Sequence, residues 1–203
     1  MSRSAHRHDR FSTLKFFGIA LAAIIAAFAV AHRQYFYSRI AETTKQTVDY
    51  QNAYIRKVID GDTIILANYE KVRLIGIDAP ERYECDKLFR NASDSGLDPA
   101  EIRRMGTVSY EFLRKTCEKQ YVRLQFDHER YDRYGRILAF VFLENGTLLN
   151  ELIVQEGYAL AMLRFEFNHN YRKRLIDAQE QARTGNKGLW AERPGLKALL
   201  KSL

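Results

Sequence analysis

The 203 residues carry 32 Lys and Arg against 25 Asp and Glu, a formal net charge of +7 with a pI near 9.4. That length leaves room for one hydrophobic core of ordinary domain size. The two cysteines, with no further Cys or clustered His to complete a zinc pattern, exclude a disulfide scaffold and structural zinc. The positive excess favours a polyanionic partner, because phosphate contacts release counterions and supply sequence-independent affinity.

Residues 1–15 form a basic head, with Arg3, Arg7, Arg10 and Lys15 against Asp9 alone, and an uncharged apolar run over 16–31 comes directly after it. The excess of positive charge before the run keeps the head in the cytoplasm and sends the downstream chain across the membrane. Tyr35, Phe36 and Tyr37 lie where an interfacial aromatic belt falls, so 16–37 reads as an uncleaved transmembrane anchor. The alternative is a cleaved signal peptide: Ala27-Phe28-Ala29 and Ala29-Val30-Ala31 resemble cleavage sites, and the run is slightly short for a span of about 20 residues. Both readings put the rest of the chain outside the cytoplasm. Residues 38–49 are polar, lack Pro and Gly, and read as a tether.

From residue 50 the periodicity changes. Two β-rich runs, 54–59 and 63–66, are divided by the turn signal Asp60-Gly61-Asp62, and a third run over 71–77 comes after the Asn68-Tyr69-Glu70 turn, giving a three-stranded meander. A loop over 82–97 is closed by Asp98-Pro99-Ala100-Glu101, where Asp98 suits the N-cap, Pro99 the first helical position and Glu101 a capping box. Ile102, Met105, Val108, Phe112 and Leu113 recur at helical spacing, which predicts a helix plugging one end of the sheet and stopping near Cys117. Strands are predicted at 121–126 and 137–142, with a hairpin signal at Asn145-Gly146. A short helix over 149–156 and a longer one over 170–183 complete the body, and Trp190 is expected to pack back onto it. Five strands with a helix between the third and fourth, and about three helices in all, match an OB-fold barrel over 50–191; residues 192–203 are a tail. Cys85 and Cys117 read either as one disulfide or as two separate thiols.

The chemistry-bearing residues sit at strand ends. Asp62, Asp78 and Glu81 lie where hairpin closure brings them together, with Arg73 and Arg136 in the same topological neighbourhood. A hard cation takes oxygen ligands, so Asp62, Asp78 and the Ala79 carbonyl suit Ca²⁺, with Pro80 helping to direct that carbonyl. Guanidinium forks at Arg73 and Arg136 match the oxygens of a phosphate under attack, and Glu81 stands next to the metal site to take a proton from water.

The segments Ile59-Asp60-Gly61-Asp62-Thr63, Arg73-Leu74-Ile75-Gly76-Ile77-Asp78-Ala79-Pro80-Glu81 and Asp132-Arg133-Tyr134-Gly135-Arg136, in this order and spacing, resemble the staphylococcal nuclease (thermonuclease) family over roughly residues 50–190. The resemblance implies Ca²⁺-dependent cutting of DNA and RNA with little sequence preference, leaving 3′-phosphate ends. It makes Asp62, Asp78 and the Ala79 carbonyl metal ligands, with Asp60 in their outer shell. Glu81 becomes the general base and Arg73 and Arg136 the transition-state arginines; Arg133 and Tyr134 lie on the phosphate side. Two features depart from the family. Leu163 and Phe165 stand where the prototype has a pair of base-lining tyrosines, which leaves Phe165 as the residue able to stack on a single-stranded base. Residues 82–97 also differ from the prototype's Lys-rich loop. A non-catalytic OB-fold module binding nucleic acid or a protein tail is the alternative, and so is a tethered protein using Ca²⁺ for stability alone. Such modules lack one or more of the five acidic and arginine positions, all of which are filled here. A monomer without an obligate protein partner is expected.

Overall fold

A computed structural model describes residues 27–30, 32–33, 48–191 and 199, and the chain divides into two units, Met1–Thr47 and Val48–Leu203. The described residues of the first unit are helical. The basic head and most of the expected anchor and tether lie outside the described residues, as does the tail apart from Leu199. Among the described residues no helix is long and apolar enough to cross a membrane.

In the second unit the elements run β1 (Ala53–Asp60), β2 (Thr63–Leu66), β3 (Lys71–Leu74), β4 (Ile77–Asp78), α1 (Asp86–Ser95), α2 (Pro99–Cys117), β5 (Tyr121–Gln125), β6 (Ile137–Leu143), α3 (Leu149–Gln155), β7 (Leu160–Ala161) and α4 (His169–Thr184), then a 3₁₀ turn at Gly188–Trp190. Five strands close into a barrel in the order β1-β2-β3-β6-β5, and β4 and β7 form a separate two-stranded ladder. Closure arises from alternation. Ile64, Leu66, Val72, Leu74, Val122, Leu124, Ile137, Ala139 and Val141 all point inward and are essentially fully buried. The pairings are antiparallel except β3 with β6, which run parallel with Val72 opposite Ile137 and Arg73 opposite Leu138. Fully buried Asn150, at the start of α3, holds that parallel seam: its amide donates to Ile75 O at 2.9 Å and Ala139 O at 3.3 Å, and its oxygen accepts the Val141 N–H.

Most expected elements are present, with shifted ends. The strand expected over 71–77 breaks after Leu74, because the chain turns through Gly76 at φ 75° before re-entering as β4. The Asp98 cap forms, accepting the Ala100 N–H at 2.7 Å, and Trp190 is buried as expected. The main addition is α1, where a loop was expected, so the unit has four α-helices among the described residues. Leu88, Asn91 and Ala92 fall at spacings of three and four and are buried; Leu88 and Ala92 share a cluster with Ile102, Met105, Leu189 and Trp190, so tertiary packing stabilises a helix with weak local signals. Its end is capped by left-handed Gly96, whose N–H donates to Ala92 O. Of the two cysteine readings, separate thiols holds. Cys117 belongs to the barrel core and Cys85 packs beside the second cluster; both are free. Burial pushes the Cys117 thiol up to about 12, so it is inert as a nucleophile.

Candidate active site

The first acidic residues come from the β1–β2 turn. Asp60 Oδ1 accepts the Asp62 N–H at 3.1 Å, which closes the turn locally. Gly61 lets that turn press onto α2, since a Cβ there would stand 2.5 Å from Ala79 Cβ and 2.8 Å from Ser109 Cβ. Asp62 then reaches across the gap: Oδ2 accepts the Ala79 N–H at 3.2 Å and Oδ1 takes the Thr63 hydroxyl at 2.9 Å.

The second acidic segment, Asp78 to Glu81, leaves β4 and lies directly on α2. A Cβ on Gly106 would come within 2.6 Å of Pro80 O and of Glu81 C and O, so only glycine at this helical position lets the segment settle. Arg82 braces the far end by donating from Nη1 to Ile59 O at 3.2 Å with its guanidinium 3.6 Å over the Tyr110 ring.

Arg73 joins the two segments. The β2–β3 register sets it opposite Thr63, beside Asp62. Its Nη2 donates to Asp78 Oδ1 at 3.0 Å, and Nη1 lies 2.7 Å from Asp62 Oδ2. That second approach is an ion pair from a buried nitrogen whose hydrogens are poorly directed at the carboxylate. Lys87 of α1 completes the cluster, with Nζ 2.8 Å from Asp78 Oδ1 and 2.7 Å from Glu81 Oε1.

Four carboxyls, of Asp60, Asp62, Asp78 and Glu81, therefore share one field with two cations. Burial and the Asp62 charge push Asp60 up to about 7. At Asp62 burial acts upward, but Arg73 and Lys87 outweigh it and hold the carboxyl below its usual range. At Asp78 burial outweighs the same two cations and the carboxyl is raised. Lys87 is itself desolvated, yet Asp78, Asp62 and Glu81 hold its ammonium above the ordinary lysine range.

Arg136 belongs to a second group. It sits at the entry to β6, two residues before Leu138, on the side of the alternation that Arg73 shares across the β3–β6 seam. Asp132 organises its turn: the carboxylate accepts the Tyr134 and Arg136 N–H groups at 2.9 Å each and Arg136 Nε at 2.6 Å. Those bonds outweigh the effect of partial burial and hold Asp132 below the usual carboxylate range. Arg133 Nη2 donates to the Tyr134 hydroxyl at 2.7 Å, and Arg133 and Arg136 both stand over the Tyr134 ring, which is 68% exposed. Phe165, 60% exposed, lies on the loop after β7; pairing of Ile77 with Ala161 and a bond from Met162 N to Gly76 O tie that loop to the Asp78 strand. Leu163 packs against the barrel core instead.

Of the residues expected from sequence, Asp60, Asp62, Arg73, Asp78, Ala79 and Glu81 meet in one cluster. Arg133, Tyr134 and Arg136 form the neighbouring one, and Phe165 stands on the adjoining loop. Lys87 and Asn150 were not anticipated. The one signal for Lys87 was its place beside Leu88 and ahead of Ala92; that for Asn150 was a lone amide in the apolar run Leu148 to Val154.

The donor set fits a hard divalent cation. The oxygens are carboxylate and carbonyl, and four carboxyls against two side-chain cations leave two negative charges unmatched when all are ionised. Among the described residues no three acidic, His or Cys side chains are assembled into a cage, and Lys87 stands between Asp78 and Glu81.

Residues 71–192 match the family described as staphylococcal nuclease homologue. The thermonuclease of Staphylococcus hyicus is 32% identical over 144 residues, 70% of this chain and 76% of that protein. The thermonuclease of Staphylococcus intermedius is 33% identical over 139 residues, 67% of this chain and 74% of that protein. Endonuclease YhcR of Bacillus subtilis is 28% identical over 144 residues, 68% of this chain and 11% of that much longer protein. The chain belongs to the staphylococcal nuclease family.

Proposed function

We propose that this member of the staphylococcal nuclease family, a nuclease that hydrolyses phosphodiester bonds, is Ca²⁺-dependent. It cuts DNA and RNA with low sequence specificity, prefers single strands and leaves 3′-phosphate ends. The observation that carries the reading is the meeting of Asp62 and Asp78 on Arg73, with Glu81 joined to Asp78 through Lys87 and the Arg136 turn on the adjoining strand end. Asp62, Asp78 and the Ala79 carbonyl would hold Ca²⁺, with Asp60 behind them. When bound, the ion supplies positive charge that acidifies a water molecule and offsets charge on the phosphate.

The chain's own residues do the rest. Glu81, its backbone clamped on Gly106, takes the proton of the attacking water. Arg73, held between Asp62 and Asp78, brings its positive charge to the phosphate, and Arg136 contributes a second guanidinium from the other side of the seam. Asp132 orients that guanidinium through Nε and leaves its two Nη groups for substrate. Arg133 and Tyr134 bind the phosphate chain, and exposed Phe165 stacks on a base. The test is nicking of plasmid or single-stranded DNA by the purified protein: cutting with millimolar-range Ca²⁺ and none with chelator is expected, and equal cutting in chelator removes the metal from the mechanism.

The nuclease unit acts outside the cytoplasm, tethered by residues 16–37 or released after cleavage there. The support is the charge asymmetry of Arg3, Arg7, Arg10 and Lys15 ahead of the apolar run. External or periplasmic protease is expected to digest the unit in intact cells; complete protection refutes export.

A further inference from the structure

Lys87 occupies a place that neither metal ligation nor proton transfer requires. Its backbone is fixed, because neighbouring Leu88 is fully buried with Ile102 and Met105 under α1. From there the side chain, 31% exposed, reaches in from the solvent side and sets Nζ between Asp78 Oδ1 and Glu81 Oε1, at 2.8 and 2.7 Å. Asp78 Oδ1 also carries the Arg73 bond at 3.0 Å, so that oxygen has two cationic donors already. An ammonium and a divalent cation cannot both sit against one carboxylate oxygen without strong like-charge repulsion in so buried a place. Arg73 is anchored by strand register and 12% exposed, whereas Lys87 can swing into solvent, so the lysine is the group that yields.

We infer that Lys87 is an exchangeable internal counter-ion, which neutralises Asp78 and Glu81 in the metal-free protein and must leave Asp78 before a divalent cation binds there. Metal affinity is thereby set by α1, an element away from the strand ends that supply the ligands. In the resting enzyme the ammonium keeps the carboxylates from repelling one another, and its departure frees Glu81 Oε1. This rests on the assignment of Asp62 and Asp78 as Ca²⁺ ligands.

Two measurements on the full chain test it. In calorimetric titration with CaCl₂ alone, Lys87→Met and Lys87→Gln are each expected to bind Ca²⁺ at least about tenfold more tightly than wild type, the scale of removing one adjacent like charge. An unchanged or weaker Kd in either folded variant overturns the inference and leaves the Ca²⁺ reading standing. No binding by wild type or variants overturns both. The second measurement needs no variant. Amine footprinting of wild type should show Lys87 protected in chelator and labelled several-fold faster with Ca²⁺, relative to exposed Lys71; no change overturns the exchange.

Discussion

Replacing Glu81 by Gln, or Arg136 by Ala, is expected to lower turnover at saturating Ca²⁺ by at least about a hundredfold, the scale of losing a positioned proton acceptor or a donor to developing charge. The two variants should differ in kind. Glu81→Gln keeps the shape of the side chain and its backbone clamp on Gly106, so KM should stay near wild type while kcat falls. Arg136→Ala removes a group that the proposed mechanism also brings to substrate, and it leaves the Asp132 carboxylate without its Nε partner, so KM should rise as kcat falls. Arg136→Lys is not expected to rescue, because an ammonium cannot bond Asp132 through Nε and present two further donors in one plane. Steady-state kinetics on a single-stranded oligonucleotide decide this. Wild-type kcat in Glu81→Gln or in Arg136→Ala would remove that residue from the chemistry.

Arg73→Met should cost both activity and folding. The guanidinium, 12% exposed, is the shared partner of Asp62 and Asp78, which are 7% and 3% exposed. Without it two buried carboxylates keep Lys87 as their remaining close cation, and breaking a buried pair from one side costs about 3–5 kcal/mol. Urea unfolding in chelator should therefore show a loss of that size. Ca²⁺ should restore part of it, since a ligand bound by the native state alone stabilises that state. Turnover should not recover with it, because the guanidinium charge that the proposed mechanism sets against the phosphate is gone. A variant as stable as wild type in chelator would mean that the two carboxylates are protonated or solvated without Arg73. Restored turnover in Ca²⁺ would remove Arg73 from the chemistry.

Much of this site is legible before any fold is known, and the reasons are local. Asp60-Gly61-Asp62 makes its own turn through the Asp60 carboxylate, and Asp98-Pro99 makes its own cap. The barrel strands announce themselves because inward and outward positions alternate along each one. What misled was α1. Asp86 to Ser95 carries few apolar residues and ends on Gly96, and its helix depends on a face, Leu88 and Ala92, whose partners Ile102, Met105 and Trp190 lie beyond it along the chain. The break at Gly76 was hidden for a similar reason: 71–77 is continuous in pattern, and the turn that ends β3 is held by Asn150, seventy-five residues away from Ile75.

The sequence by itself determined which chemistry this protein carries, because carboxylates at turns and strand ends, arginines in alternating register and an Asp-stabilised loop at 132–136 are all products of neighbouring residues. Only the tertiary structure decided how that chemistry is balanced. Whether Arg73 bridges Asp62 and Asp78, whether Glu81 can lie against α2 at Gly106, and whether a lysine from α1 fills the space between two carboxylates depend on distances between distant segments. Charge interactions in a buried place vary steeply with such distances, and no periodicity in the chain encodes them.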